Sequence, residues 1–145
     1  WEQVTGKAIA GIEAGKSLET LPVAVVKWKE WKSGYPATRV LLRNTGFDRD
    51  YDADPYENYE QIGEKTVVYG VEVGGRGKAY TLGAIKRETA DDSVLMDAVG
   101  GVKIRLSYSR GEVVVDNLKL KEKVVPTRLF WFAWKAFHPE TEIYE

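Results

Sequence analysis

One motif occurs twice in this chain, and any fold must satisfy both copies. The first reads Trp28-Lys29-Glu30-Trp31-Lys32-Ser33-Gly34-Tyr35-Pro36-Ala37-Thr38-Arg39-Val40. The second reads Trp131-Phe132-Ala133-Trp134-Lys135-Ala136-Phe137-His138-Pro139-Glu140-Thr141-Glu142-Ile143. Both fit Trp-x-x-Trp-Lys-x-x-(Tyr/His)-Pro-x-Thr-x-(Val/Ile) without a gap, 103 residues apart. Tryptophans three apart share one face of a helix, and a proline shortly after stops it. Each copy is therefore expected to be a short helix anchored by its tryptophans to a sheet, because Trp is a highly buried residue on average. Trp28 and Trp31 sit among Lys27, Lys29, Glu30 and Lys32, so that pair is expected to be the more exposed.

Around these helices the chain reads as strands and turns. Val4 to Ala10, Leu18 to Val26 and Thr38 to Leu42 read as extended, with Pro22 marking an edge or a break. Gly34 is expected just past the first helix. Thr66 to Val73 and Gly77 to Leu82 flank Gly74-Gly75, the signal of a β-hairpin. Leu82 to Glu88 reads as a short helix, and Thr89 to Asp97 as an acidic loop. Val102 to Tyr108 alternates strictly, which predicts a half-buried strand with Lys103, Arg105 and Ser107 on its outer face. Glu112 to Val115 and Leu118 to Val125 follow as strands. Phe130 to Phe137 is apolar nearly all round, so that helix is expected to be buried on most sides. The fold class is α+β, mostly antiparallel β-sheet with short Trp-bearing helices, built on an incomplete internal duplication. Residues 1–62 are the back end of a first repeat plus an acidic, Tyr-rich loop; residues 63–145 are a complete second repeat, the whole forming one compact domain. The front end that would match Val67 to Tyr108 has no first copy, so the chain is expected to be the C-terminal part of a longer two-repeat protein.

Composition narrows the functional classes. A content of 43% hydrophobic and 30% charged residues is that of a globular chain. Acidic and basic residues are mixed to a net charge of −1, with no basic stripe for nucleic acid. The absence of Cys excludes disulfides, thiolate catalysis and Cys-ligated zinc within these residues. No apolar run approaches the roughly 20 residues of a membrane-spanning helix.

The chain resembles the domain of unknown function 3179 family of bacteria and archaea. The resemblance rests on Trp1-x-Gln3-x-Thr5-Gly6-x-Ala8-Ile9-x-Gly11, Leu21-Pro22, Trp28, Trp31, Tyr35-Pro36, Thr45-Gly46-Phe47, Arg49-Asp50-Tyr51 and Pro55-Tyr56. Gly70-Val71, Lys78-Ala79-Tyr80, Val99-Gly100-Gly101 and the final Trp-rich motif complete it, so it covers nearly the whole chain. Members carry an earlier Ala-Tyr-Pro-Leu segment followed by His-Glu, Asn-Asp and a Tyr-Cys-Pro-Leu-Cys-Gly segment. Here only a degenerate copy is found. Ala79-Tyr80-Thr81-Leu82 has Thr for Pro, Arg87-Glu88 stands for His-Glu, Met96-Asp97 for Asn-Asp, and Tyr108-Ser109-Arg110-Gly111 lacks both cysteines. The resemblance implies an exported or lipid-anchored parent protein and names no reaction.

Candidate sites follow. Asp48, Asp50, Asp52 and Asp54 alternate like the start of a calcium loop, but Ala53 stands where such a loop needs Gly and Tyr59 where it needs Glu. No cofactor is expected, and calcium is the one metal this stretch suggests. Trp28, Trp31, Tyr51 and Tyr56 could form an aromatic binding platform, for carbohydrate among others. Arg87, Glu88, Asp97 and Tyr108 lie where a site completed by a missing N-terminal repeat would fall. His138, the one histidine, could act as a base if a carboxylate oriented it. The leading expectation is a non-catalytic scaffold or binding part of a larger protein. The partners are the missing N-terminal part of the same polypeptide and an unknown small ligand, with no nucleic acid and no membrane insertion by this segment.

Overall fold

The computed structural model describes residues 1–55, 57 and 65–145. In chain order the elements are α1 (Trp28–Gly34), β1 (Val67–Val73), β2 (Arg76–Thr81), α2 (Leu82–Glu88), β3 (Leu95–Val99), β4 (Val102–Ser109), β5 (Glu112–Asn117), β6 (Glu122–Val124), β7 (Thr127–Phe130), α3 (Trp131–Phe137) and β8 (Glu142–Tyr144). They form an α+β fold with two four-stranded sheets, ordered β7-β1-β2-β8 and β3-β4-β5-β6. All strand pairs are antiparallel except β2 with β8.

The β1–β2 turn is Gly74-Gly75, with φ of 60° and 75°. Two consecutive positive φ values make the tight turn that matches strand twist, and glycine reaches them without steric cost. Strand β1 is covered on both faces, which is why its sequence is an almost unbroken apolar run. One face sends Tyr69, Val71 and Val73, with Tyr80 of β2, into the core between the sheets. There they meet Ile85 of α2, Leu95 and Val99 of β3, Ile104 and Leu106 of β4, and Val113 and Val115 of β5. The other face carries Val68, Gly70 and Ala79 and is roofed by Trp134 of α3. The molecule is thus layered as α3, first sheet, second sheet. Strand β4 alternates as expected, and on its solvent face Arg105 pairs with Asp116, its cross-strand neighbour, at 2.7 Å.

Side chains end the elements. Thr81 caps α2, accepting from the Ala84 N–H, and the Thr89 hydroxyl donates to the Ile85 carbonyl at its end. The buried Asn117 accepts from the Lys119 and Leu120 N–H groups and turns the chain after β5.

Several expectations need correction. Leu95–Val99, which begins within the expected Thr89 to Asp97 acidic loop, is strand β3, because its backbone pairs fully with β4. Leu118 to Val125 forms a strand only over Glu122–Val124. Gly34 is the last residue of α1 rather than the one past it; Tyr35 leaves the helix at φ −131° and ψ 66°, ahead of Pro36. In α3 only Trp134 is fully buried, since the helix covers the sheet with one face. The stretches Val4 to Ala10, Leu18 to Val26 and Thr38 to Leu42 form no ladder beyond a single bridge, Lys7 to Ser17. A strand exists only where its backbone groups find a continuous neighbour, and among the described residues these segments have only short contacts: residues 6–8 bond with residues 15–18, and the Val25 N–H donates to the Gly111 carbonyl at 3.0 Å.

Candidate functional site

The two tryptophan motifs are the features most worth comparing. In the second, β7 leads into α3 along one edge of the first sheet and β8 leaves along the other, so the helix crosses over β1 and β2. Trp134 lies flat on that pair. Its indole Nε1–H donates to Thr141 Oγ1 at 2.9 Å, and the Thr141 hydroxyl donates to the Gly77 carbonyl at 3.1 Å. His138 caps α3, its N–H reaching the Trp134 carbonyl at 3.0 Å, and its ring stacks on Trp134 with centroids 3.8 Å apart. Glu72 Oε2 stands 3.9 Å from His138 Nε2.

The first motif reproduces this internal geometry. Trp31 Nε1–H donates to Thr38 Oγ1 at 3.0 Å, and Tyr35 stacks on Trp31 at 4.4 Å. The Tyr35 N–H reaches the Trp31 carbonyl at 2.9 Å, and the Thr38 N–H reaches the Tyr35 carbonyl at 3.1 Å against 3.0 Å for Thr141 to His138. Tyr35 and His138 share φ −131°, with ψ of 66° and 69°. The surroundings differ. Trp134 is 2% exposed and Trp31 42%. Trp28 and Tyr35 are also exposed, and α1 buries no residue. Of the two expected anchors, the second lies on its sheet and the first lies open to solvent.

This difference sets the worth of the shared hydrogen bond. Thr141→Val leaves the buried Trp134 N–H without an acceptor, so about 1–3 kcal/mol of stability is expected to be lost. Thr38→Val acts at an exposed pair, where water replaces the hydroxyl, and should cost less than about 0.5 kcal/mol. Urea unfolding of both variants checks the contrast; equal losses would contradict it.

A second cluster joins the sheets. Lys78 of β2 places Nζ 2.8 Å from Asp97 Oδ2 of β3 and 3.5 Å from Glu142 of β8. The Tyr80 hydroxyl donates to the same Asp97 oxygen at 2.9 Å, and the Ala98 N–H donates to Asp97 Oδ1 at 2.7 Å. Lys78 also lies over the Tyr80 and Tyr144 rings. Burial alone would raise the Asp97 carboxyl, but the Lys78, Ala98 and Tyr80 donors outweigh it and hold Asp97 below the usual carboxylate range. Burial, and after it the Asp97 carboxylate, push the Tyr80 phenol far above its ordinary value, so it stays neutral. The sequence pointed to Asp97 and missed Lys78 and Tyr80. Alternation in β2 puts them on one face, opposite to Ala79, but only the packing of β3 against that face identifies their shared partner.

The other candidates are dispersed. Arg87 bonds to Glu88 at 3.0 Å and to the Glu145 carbonyl at 2.9 Å. Tyr108 lies beneath Lys86, 5.5 Å from its ring centroid to Nζ. Apart from Arg87 with Glu88, the described contacts join none of Arg87, Glu88, Asp97, Tyr108 and His138 to another. In the acidic stretch Asp50 accepts from the Asp52 and Ala53 N–H groups. Asp52 pairs with Arg43 at 2.7 Å, and Asp54 with Lys65 at 3.0 Å. Asp48 is exposed. Among the described residues no three acidic or histidine side chains are grouped to hold a metal ion. Tyr51 bonds to Thr45 at 2.7 Å, while Tyr56 lies outside the described residues. A cleft between residues 3–7 and 18–25 and the body is lined by Glu72, Arg128, Trp134 and His138. No described helix is long and apolar enough to cross a membrane.

The model of a family described as "Protein of unknown function (DUF3179)" matches residues 1–127. No curated protein and no solved structure matches the chain.

Proposed function

Because the chain belongs to the DUF3179 family, whose function is unknown, we propose its role from its geometry: a non-catalytic scaffold and binding part of a larger protein. One observation carries this reading. The Trp31 motif is fully formed internally yet presents Trp28, Trp31 and Tyr35 to solvent. Val40, Leu41 and Leu42 are exposed beside it in sequence. Exposed large apolar side chains of this density are features of surfaces that bind another element, a protein partner among them.

The ionisable candidates support the same role. Asp97 is engaged by Lys78, Tyr80 and Ala98, and Arg87 by Glu88 and the Glu145 carbonyl, contacts that tie elements of the fold together. We take the protein of which this chain is a part to be exported or lipid-anchored, as the family resemblance implies; recovery of the native product in the cytoplasmic fraction would overturn that. Calcium at millimolar concentration is expected to leave Tm unchanged, because Asp52 and Asp54 already pair with cations. A rise of several degrees would move attention to Asp48, Asp50, Asp52 and Asp54. The deciding experiment is a broad hydrolase and redox screen of the purified chain. Absence of turnover is expected, and reproducible turnover lost on a point substitution would refute the reading.

A further inference from the structure

We propose that α1 and its flanks are the receptor for one two-stranded antiparallel β-hairpin, supplied by the segment of the same polypeptide that precedes Trp1. The proposal rests on the reading of the chain as part of a larger protein.

The second motif shows what such a helix covers. The strand before α3 and the strand after it, β7 and β8, are separated in the sheet by β1 and β2. The 103-residue spacing maps β7 onto residues 24–27 and β8 onto residues 39–41. Those segments read Ala-Val-Val-Lys and Arg-Val-Leu, are exposed, and form no strand. Helix, lead-in and lead-out are present, and among the described residues no two strands lie between the flanks. Two strands at about 4.8 Å spacing fill that place. Their directions follow from the second unit: the first strand runs antiparallel to residues 24–27 and the second parallel to residues 39–41.

The roofed surface fixes the chemistry of the occupant. A Cβ at Gly70 would fall 2.2 Å from the Trp134 ring, and one at Gly77 2.9 Å from it. These two glycines are diagonal neighbours on one face, since Glu72 pairs with Gly77 and Gly70 with Ala79. A hairpin seated under Trp31 therefore carries glycine at the same two positions. Charge adds a second requirement. Lys27, Lys29, Lys32 and Arg39 lie in and beside α1 in the sequence against the single Glu30, so the hairpin is expected to carry an acidic rim, as Glu72 lies beside His138 in the second unit. A second copy of this chain does not meet the requirement, because the glycine-bearing face of its β1–β2 pair is already covered by its own Trp134.

The test is hydrogen exchange of the native gene product beside this chain alone. The amides of Val26 and of whichever of Val40 and Leu41 faces the hairpin are expected to exchange at least about 100-fold more slowly in the native product, since neighbouring amides of an edge strand point to opposite sides and only one is drawn into the sheet. Valine in place of either of the upstream hairpin's two helix-facing glycines should return them to the rates of the isolated chain while α3 stays protected. Equal exchange in both proteins overturns the proposal, as does a native product that begins at Trp1. Concentration-dependent protection in this chain alone overturns it in favour of self-association. Turnover by the isolated chain refutes the non-catalytic reading and leaves the hairpin untouched, so the two can fail separately.

Discussion

Gly70→Ala is expected to destabilise the protein by about 3–5 kcal/mol. The backbone at Gly70 has no positive φ, so the cost is steric. The new carbon would lie 2.2 Å from Trp134 Cε3 and Cζ3 and 2.6 Å from Cδ2. The ring has no easy retreat. Its Nε1 is held by Thr141, and its other surroundings include the stacked His138. Either β1 shifts within a sheet paired on both sides, or Trp134 leaves a site where it is 2% exposed. Extra core volume alone costs about 1–3 kcal/mol, and unseating a buried Trp raises this toward its truncation cost. Gly83→Ala is the control. Nothing lies within 4 Å of its added carbon and its φ is not positive, so it should be neutral or stabilise α2 by about 0.5 kcal/mol. Urea midpoints of the two variants measure the contrast, and a Gly70→Ala midpoint equal to wild type would remove the tight Trp134 contact from the account.

Asp97→Ala is the second large effect, expected at about 2–4 kcal/mol. It leaves the Lys78 ammonium, whose side chain is 15% exposed, with only the exposed Glu142 carboxylate, 3.5 Å away. It also removes the acceptor of the Tyr80 hydroxyl, and Tyr80 is fully buried. The cluster ties β2 to β3, so the loss falls on the junction of the two sheets. Its pH dependence has a fixed sign. The folded protein holds Asp97 below its unfolded value, so the unfolded chain binds the proton first as pH falls. The contribution is complete above the ordinary carboxylate value of about 4 and disappears as pH drops through the depressed folded value. Asp97→Asn keeps an acceptor for Tyr80 and abolishes titration. The stability gap between wild type and Asp97→Asn should therefore be constant near neutral pH and shrink below about pH 4. A gap that widens on acidification would contradict the assigned ion pair.

Much of the second half was legible because its signals are local. Gly74-Gly75 between apolar runs specified the β1–β2 hairpin, Leu82 to Glu88 the helix α2, and the alternation of Val102 to Tyr108 the strand β4 with Ile104 and Leu106 inward. Strand β3 was obscured because Asp91, Asp92 and Asp97 gave the stretch a polar look, although Asp97 is the residue that meets Lys78 and Tyr80 across the sheets. No local pattern reveals a partner on another sheet. The extended segments of the first half failed for the opposite reason. Val25, Val26, Val40 and Leu41 have strand-forming or apolar side chains, yet strand formation depends on a continuous neighbouring backbone, and the described residues give this stretch one bond, from the Val25 N–H to the Gly111 carbonyl. The tryptophan repeat was plain in the sequence. The lysines around Trp28 and Trp31 also pointed to the greater exposure of that pair; what no local pattern showed is the surface beneath the second helix, where Gly70 and Gly77 let Trp134 close on β1 and β2.

The most direct measurement is hydroxyl-radical footprinting of Trp31 and Trp134 in this chain and in the native gene product. In the chain alone, Trp31 is expected to oxidise many-fold faster than Trp134, as its exposure of 42% against 2% requires. In the native product, where a hairpin covers α1, the two should be protected alike. Trp31 oxidised as fast in the native product as in the isolated chain would contradict the view that its face is built to be covered.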